Sequence, residues 1–210
     1  MSKIYDLPLR QVIALSASDA PTPGGGSVAA LVGTLGVAMT AMVGNLTVGK
    51  TKYREVEPEV KQIIEDANLI MHRLEYLVDA DIIAFEQYLA AIKLPKNTEE
   101  EIVLREEMMQ KTVQGAIDVP MVTARVLLQA LEITNRLAKL GNKMPISDVG
   151  VAAYVCEAAL HAVLLNADIN LPMVKDEDYA RQVLAEKEQL STNATALKEQ
   201  ALATVRERMK

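Results

Sequence analysis

An aspartate on an apolar helical stripe is the residue in this 210-residue sequence best suited to acid–base chemistry. Asp81 lies in a long segment with helical periodicity, and the side chains that share its face are apolar or amphipathic. These neighbours are Leu74, Leu77, Val78, Ala84, Phe85 and Tyr88. Desolvation in such surroundings favours a neutral carboxyl group and raises its pKa, as a general acid or base near neutral pH requires. The alternative is a core aspartate satisfied by a buried lysine or hydroxyl.

Three consecutive glycines, Gly24, Gly25 and Gly26, precede a predicted helix that Ser27 is expected to cap. Glycine lets a ligand approach the backbone closely, and free N–H groups at a helix N-terminus attract carboxylate or phosphate. The segment is neither a P-loop nor a dinucleotide-binding fingerprint, because no Gly-Lys-Ser/Thr follows at the proper place and no predicted strand precedes it. A simple turn is the alternative interpretation.

Lys50, Lys52 and Arg54 form a basic cluster in an otherwise acidic protein. Such a cluster attracts an anionic substrate, although a solvated loop between helices is the alternative. Polar residues also mark both ends of a later apolar segment. Ser147 and Asp148 are interpreted as capping residues, with a catalytic or substrate-binding role as the alternative. At the other end, two asparagines, at positions 166 and 170, are interpreted as polar residues of a helix C-terminus.

Neither a metal centre nor a nucleophilic enzyme is indicated. His72 and His161 fall on different predicted helices, and no ligand spacing typical of zinc or calcium is present. The sequence also lacks a Gly-x-Ser-x-Gly elbow. Cys156, the one cysteine, lies in an alanine-rich helical pattern, where we expect a buried and inert thiol.

Composition and charge exclude several classes of partner and compartment. With 22 basic and 28 acidic residues, the net charge is −6, the wrong sign for a protein that grips nucleic-acid backbones. A single cysteine forms no intramolecular disulfide, and the N-terminus lacks a basic stretch followed by an apolar run. We therefore expect a cytoplasmic protein that binds no nucleic acid.

The hydrophobic half of the sequence is almost free of aromatic residues, with one Phe, six Tyr and no Trp, which favours helices over sheets. We predict one all-α domain over residues 1–210, an up-and-down bundle of long helices. Pro58 suits the first turn of the third helix, Thr98 and Glu101 form a capping box, and Pro120 is expected to bend or restart the fourth. The predicted helices span residues 5–17, 28–48, 58–94, 98–140, 147–167 and 176–208.

The second predicted helix, residues 28–48, carries no charge and is long enough to cross a bilayer. Its many glycines and threonines favour a buried central helix over a membrane span. Ala29, Gly33, Gly36 and Gly44 recur on one side, a ridge of small residues that allows close packing in a bundle or dimer.

Eight blocks together resemble the formiminotetrahydrofolate cyclodeaminase and methenyltetrahydrofolate cyclohydrolase family of folate enzymes. They follow the order of the family and cover roughly residues 5–180. The blocks are 21–30 (PTPGGGSVAA), 42–53 (MVGNLTVGKTKY), 79–85 (DADIIAF), 94–96 (LPK), 119–120 (VP), 141–142 (GN), 147–153 (SDVGVAA) and 166–171 (NADINL).

The resemblance implies a freestanding bacterial type of folate enzyme, a helical protein that dimerises through helix packing and binds folate in a cleft between helices. Its two reactions are hydrolysis of 5,10-methenyl-tetrahydrofolate to 10-formyl-tetrahydrofolate and cyclisation of 5-formimino-tetrahydrofolate to the methenyl compound with release of ammonia. No metal and no cofactor beyond the tetrahydrofolate substrate is implied. The competing hypotheses are a non-catalytic helical dimerisation or scaffold protein and a membrane-anchored helix protein.

The resemblance also assigns roles to residues of this sequence. Asp81 precedes Ala84 and Phe85 at the spacing of the catalytic block and is expected to shuttle a proton, while Asp148 is the second choice, to hold the pterin or orient Asp81. The remaining candidates are expected to bind the pterin, p-aminobenzoyl or glutamate parts of a folate that can carry a polyglutamate tail. They are Gly24, Gly25, Gly26, Ser27, Lys50, Lys52, Tyr53, Asn142 and Ser147.

Overall fold

Six α-helices build the fold in a computed structural model that describes residues 4–210. A short 3-10 turn at Ile4–Asp6 precedes the first helix, two more at Thr51–Tyr53 and Leu171–Met173 lie between helices, and the described residues contain no β-strand. This architecture confirms the all-α prediction. The helices are α1 (Leu9–Ser16), α2 (Gly25–Asn45), α3 (Glu57–Ile92), α4 (Glu99–Leu140), α5 (Ile146–Asn170) and α6 (Glu177–Met209).

Helices α2 to α5 form a square up-and-down bundle in which each helix packs against the next and α5 closes back on α2. Short connections make consecutive helices antiparallel. Helix α6 lies against α4 and α5, and the N-terminal segment covers the α2–α3 side through a small cluster of Ile4, Val12, Ala30 and Val78. The side formed by α2 and α5 and the side formed by α3 and α4 are not packed against a further helix among residues 4–210.

Small residues bring α2 close to its neighbours, as the sequence predicts. A Cβ on Gly33 would lie 2.4 Å from the Leu127 side chain of α4, and one on Gly36 would lie 2.8 Å from the Cys156 sulfur of α5. Cys156 itself is fully buried, and burial raises the pKa of its thiol to about 12. This confirms the inert core thiol.

Two of the predicted helix boundaries are correct for the predicted reason. Pro58 lies in the first turn of α3, where its missing N–H costs nothing. The capping box of α4 is complete, because the Glu101 N–H donates to Thr98 Oγ1 across 3.2 Å and the Thr98 N–H donates back to Glu101 Oε2 across 3.3 Å.

Other expectations for the helices are wrong. The first predicted helix is split, since Pro8 occupies the N-cap of α1 and disfavours helix at the preceding residue. Of the bend or restart expected at Pro120, the restart is wrong, because α4 continues from Glu99 to Leu140. Ser147 and Asp148 do not cap α5, because that helix already begins at Ile146.

Candidate active site

Asp81 and Ser27 meet where the middle of α3 passes the first turn of α2. The Ser27 hydroxyl donates to Asp81 Oδ2 across 2.7 Å, and the Ser27 N–H also binds this carboxylate. The predicted capping role of Ser27 is therefore wrong, because α2 begins at Gly25 and Gly24 is its N-cap. The Ser27 hydroxyl binds Asp81 instead of the helix end.

Partial burial raises the pKa of Asp81 above its ordinary value, and the two hydrogen bonds from Ser27 oppose that rise. The carboxylate has no ion-pair partner within residues 4–210. For a core aspartate, the sequence predicts a buried lysine or a hydroxyl as the partner. Among residues 4–210 no lysine pairs with Asp81, whereas the hydroxyl of Ser27 binds it. The group retains one oxygen, Oδ1, without a side-chain donor.

The backbone of Gly26 allows this contact. A Cβ at position 26 would lie 2.2 Å from Asp81 Oδ1, closer than any real contact of that kind, so only glycine fits here without moving the carboxylate. The first turn of α2 thereby approaches Asp81 through backbone alone, and its positive dipole end faces the acid.

Asp81 forms part of the wall of a cavity of about 240 Å³ at this end of the bundle. The glycine turn forms one side, and residues of α3, α4 and α5 form the others. The lining residues are Pro21, Thr22, Gly24, Gly25, Asp81, Ala84, Phe85, Ala116, Asn166 and Asn170. The fold therefore brings Asp81 and the predicted glycines to one open pocket.

Asn166 and Asn170 belong to this cavity, although the sequence interpretation treats them only as polar residues at a helix end. Asn170 Nδ2 donates to the Ala116 carbonyl across 3.3 Å and to the Asn166 carbonyl across 2.8 Å. Asn166 Nδ2 likewise turns toward its own helix, donating to Val163 across 3.4 Å. The amide oxygens of both residues stay available to accept hydrogen bonds from a ligand.

Pro120 explains why the Ala116 carbonyl is free to accept that bond. In an unbroken α-helix this carbonyl would accept from the N–H of residue 120, and proline has none. Asn170 supplies the missing donor from α5. The N–H group that Pro120 lacks thus leaves a carbonyl of α4 free to hold the Asn170 side chain in the cavity. No spacing in the sequence indicates this contact.

A larger, mostly apolar cavity of about 470 Å³ lies beside the first. Thr22 lines both, and the N-terminal segment and α3 supply most of the wall. Its residues are Ile4, Leu7, Gln11, Leu15, Thr22, Pro23, Asp79, Ile82, Ile83 and Glu86. The two spaces together offer a polar end at Asp81 and an apolar end suited to a planar ring.

A second group of predicted residues lies at the opposite end of α2. Asn142 is buried there, and its amide donates to the Leu46 carbonyl across 2.9 Å while its oxygen accepts from Tyr53 Oη across 3.4 Å. Lys50 and Lys52 are exposed, and neither forms an ion pair with a described residue. Asn142 and Tyr53 therefore connect the loop after α2 with the loop after α4, whereas Lys50 and Lys52 are available to bind an anion.

One family model covers most of the chain, residues 8–189, and its description is formiminotransferase-cyclodeaminase. The chain belongs to this family. A methenyltetrahydrofolate cyclohydrolase of Methylorubrum extorquens is 39% identical over 92% of this chain and 93% of its own length. A crystal structure of formiminotetrahydrofolate cyclodeaminase from Thermotoga maritima superposes with a TM-score of 0.88, at 30% identity, over 97% of this chain and 98% of that one.

A longer relative in the formiminotransferase-cyclodeaminase family contains this unit as one part. The formimidoyltransferase-cyclodeaminase of Rattus norvegicus is 36% identical over 83% of this chain, which spans only 32% of the rat protein. The chain is thus similar both to freestanding enzymes of its own length and to part of a longer enzyme.

Within one chain of this cyclodeaminase-type fold, the two groups of candidate residues stay apart. Gly25 and Asn45 bound α2, so its ends lie about 30 Å apart at 1.5 Å per residue. Asp148 precedes Asn166 by 18 positions of α5, about 27 Å. The expectation that Asp148 orients Asp81 is therefore wrong for a single chain, because Ser27 does so. Across residues 4–210 no cluster of three or more His, Cys, Asp or Glu is placed to hold a metal.

Proposed function

We propose that this protein is a folate one-carbon enzyme whose reaction takes place at Asp81. The substrate is 5,10-methenyl-tetrahydrofolate, hydrolysed to 10-formyl-tetrahydrofolate, or 5-formimino-tetrahydrofolate, cyclised to the methenyl compound with loss of ammonia, or both. The names of the Methylorubrum and Thermotoga relatives support this choice. The observation that carries it is a carboxyl group of raised pKa, bound by Ser27, on the wall of an open cavity.

In the hydrolysis, ionised Asp81 acts as a general base. Water attacks the methenyl carbon, and Asp81 takes the proton that this water loses. The carbon–N5 bond of the resulting carbinolamine then breaks, N5 receives the proton from Asp81, and the hydroxyl loses its proton to solvent as the formyl group forms. The cationic substrate favours the ionised carboxylate and so offsets the effect of burial on its pKa.

In the cyclisation, neutral Asp81 acts as a general acid. N10 attacks the carbon of the protonated formimino group, and Asp81 protonates the amino group of the tetrahedral intermediate, so that the carbon–nitrogen bond breaks and ammonia leaves. The carboxylate left on Asp81 then takes the proton from N10, and the methenyl cation forms. A carboxyl group of ordinary pKa is almost fully ionised at neutral pH, whereas burial keeps a larger share of Asp81 protonated. One group of raised pKa therefore serves both directions of proton transfer.

The surroundings of Asp81 suit the rest of the substrate. The amide oxygens of Asn166 and Asn170 accept hydrogen bonds from the N–H groups of a pterin, and Phe85 offers an aromatic edge. The apolar neighbouring cavity receives a planar ring. Lys50 and Lys52 lie outside these surroundings, beyond the far end of α2, and are proposed to bind carboxylates of the glutamate tail, including a polyglutamate tail.

We further propose that the protein works as a homodimer in the cytoplasm and requires no cofactor beyond the tetrahydrofolate on which it acts. An uncovered apolar surface on α2 and α5 supports the dimer. The free buried thiol of Cys156 fits a reducing compartment. A net charge of −6 speaks against nucleic acid as a partner, and half-buried core helices speak against membrane insertion.

A spectrophotometric assay of the purified wild-type chain tests the proposed activity. The absorbance of 5,10-methenyl-tetrahydrofolate should fall with turnover well above its spontaneous hydrolysis, or should rise when 5-formimino-tetrahydrofolate is supplied. Gly26→Ala is the matched negative control. Its added methyl group should displace the Asp81 carboxylate without unfolding the helices, so this variant should lose turnover. A chain that changes neither absorbance is a non-catalytic scaffold, and the proposal is then wrong.

A further inference from the structure

Two oxygen atoms of the Asp81 cavity lie against consecutive glycines of α2. A Cβ on Gly26 would lie 2.2 Å from Asp81 Oδ1, and a Cβ on Gly25 would lie 3.7 Å from Asn166 Oδ1. The α-carbons of neighbouring residues are about 3.8 Å apart, and successive side-chain directions on a helix differ by about 100°. The two oxygens therefore border the same peptide unit, Asp81 from the α3 side and Asn166 from the α5 side.

Neither oxygen accepts a hydrogen bond from a side chain of residues 4–210. Ser27 donates its hydroxyl hydrogen to the other oxygen of Asp81, Oδ2. Asn166 turns its Nδ2 toward carbonyls of its own helix, across 3.5 Å to Ala162 and 3.4 Å to Val163, which leaves Oδ1 on the opposite side of the amide. Because both residues line the cavity, two acceptors border the same small space.

The other polar side chains of the cavity wall, Thr22 and Asn170, do not approach this space. Asn166 is the one described side chain with atoms within 4 Å of a Cβ placed on Gly25, and none comes that close to a Cβ placed on Gly24. The Asn170 amide lies one turn farther along α5, where it donates to the Ala116 carbonyl across 3.3 Å. Asn166 is therefore the polar side chain that faces Asp81 across the glycine turn.

Both proposed reactions place a small polar group between Asp81 and the one-carbon unit. In the hydrolysis this group is water, which gives one proton to Asp81 and keeps a second O–H that needs an acceptor. In the cyclisation it is the amino group of the tetrahedral intermediate, which receives a proton from Asp81 and also carries N–H groups that need an acceptor. A neutral amide oxygen accepts either hydrogen bond and remains unprotonated, so it does not compete with Asp81 for the proton.

We propose that Asn166 is a second catalytic residue, whose Oδ1 holds, together with Asp81, the attacking water of the hydrolysis and the departing amino group of the cyclisation. The inference rests on the proposed function, because it assigns the position of the small reactant in that same site. When one hydrogen of the water points at Asp81 and the other at Asn166, a lone pair stays directed at the methenyl carbon. An amide oxygen has two lone pairs, so the contact of Asn166 with the pterin is retained.

Removal of the acceptor tests this role. The Asn166 side chain binds only carbonyls of its own helix, and alanine favours a helix, so Asn166→Ala should keep the circular dichroism spectrum of the wild type. Its kcat should fall roughly tenfold in whichever of the two reactions the wild type catalyses. Asn170→Ala, which loses a pterin contact, should mainly raise KM. Asn193→Ala, on α6 and outside the cavity, is the matched control and should keep both constants.

A carboxylate at position 166 tests how close this side chain lies to Asp81. Asp81 is the one titratable residue of the cavity wall among residues 4–210, so one limb of kcat/KM against pH reports its ionisation. In Asn166→Asp a second negative charge beside Asp81 disfavours that ionisation, and the limb should move to higher pH by about one unit. Asn193→Asp adds the same charge on α6 and should leave the limb in place.

The outcomes separate the inference from the proposed function. A wild-type chain that turns over neither folate overturns the function and the inference together. With an active wild type, a normal kcat in Asn166→Ala overturns only the catalytic role of Asn166, and a raised KM alone leaves this residue a pterin contact. An unmoved limb in Asn166→Asp overturns the shared position of the two oxygens, whereas a lowered kcat together with a moved limb supports it.

Discussion

Ser27 donates its hydroxyl hydrogen to Asp81 across 2.7 Å and thereby fixes the one carboxylate of the cavity at the N-terminus of α2. Ser27 does not cap α2, and Asp81 forms no ion pair with a residue of 4–210. Burial and hydrogen bonding thus act on the same group in opposite directions, and burial has the larger effect on its pKa. This balance suits a residue that must both give and take a proton.

Removing the Ser27 hydroxyl should move the pH profile of hydrolysis. Ser27→Ala deletes a hydrogen bond that lowers the pKa of Asp81, so the pKa should rise further. Because hydrolysis uses ionised Asp81, the acidic limb of kcat/KM against pH should shift to higher pH, so the variant should lose more activity at acidic pH than at alkaline pH. Ser16→Ala, on exposed α1, is the matched control; an unmoved limb in Ser27→Ala would show that the hydroxyl does not tune the acid.

A methyl group at position 26 should displace Asp81. Gly26→Ala places its Cβ within 2.2 Å of Asp81 Oδ1, so turnover should fall by about a hundredfold while circular dichroism stays helical. Gly115→Ala, also in a helix, has open space around its Cβ and should keep wild-type turnover and gain roughly 0.5–1 kcal/mol of stability. Equal activity of the two variants would contradict the tight approach at Gly26.

The raised pKa of Asp81 has a consequence for stability. The folded state holds this proton at pH values where the unfolded chain has released it, so stability falls as the pH rises from the unfolded pKa through the folded pKa. Asp81→Asn removes this penalty. Its free energy of unfolding in urea should exceed that of the wild type at pH 7, and the difference should vanish toward pH 3. A variant less stable than wild type at pH 7 would contradict the desolvated carboxyl.

Asn170 and Pro120 should be energetically coupled. Asn170→Ala leaves the Ala116 carbonyl without its donor and should cost about 1 kcal/mol in urea unfolding. In a Pro120→Ala background the new N–H of residue 120 binds that carbonyl, so the same change should cost less. A double-mutant cycle measures this coupling; an equal cost of Asn170→Ala in both backgrounds would show that the carbonyl is satisfied in another way.

The central apolar face of α2 offers a direct test of the dimer. Leu35 is exposed near the middle of α2, so Leu35→Asp should halve the mass measured by light scattering without loss of helix content. Leu69→Asp, at an equally exposed leucine of α3, is the control and should keep the wild-type mass. Dimers in both variants would place the interface away from the exposed apolar side of α2.

Local physics explains which features the sequence could predict. The Thr98–Glu101 box and the proline at the start of α3 depend on residues a few positions apart, and both were correct. Asp81 could be found because its apolar neighbours recur with the period of a helix. These signals need no knowledge of how helices lie against one another.

The remaining features depend on contacts between distant elements. Ser27 has the residue type and position of an N-cap, and only the crossing of α2 over α3 assigns its hydroxyl to Asp81. Asn170 joins the cavity because Pro120, 50 positions earlier, frees a carbonyl on another helix. The separation of Lys50 and Asp148 from Asp81 likewise follows from helix length and direction, which the resemblance to folate enzymes did not reveal.

Turnover of 5,10-methenyl-tetrahydrofolate by Asp81→Asn tests the role of Asp81 most directly. Asparagine keeps the shape of the side chain and can still accept the Ser27 hydrogen bond, but it carries no proton to exchange. We predict a folded variant, with a wild-type circular dichroism spectrum, whose turnover falls at least about a hundredfold, the usual scale for a general acid or base. Turnover within a fewfold of the wild type would remove Asp81 from the chemistry.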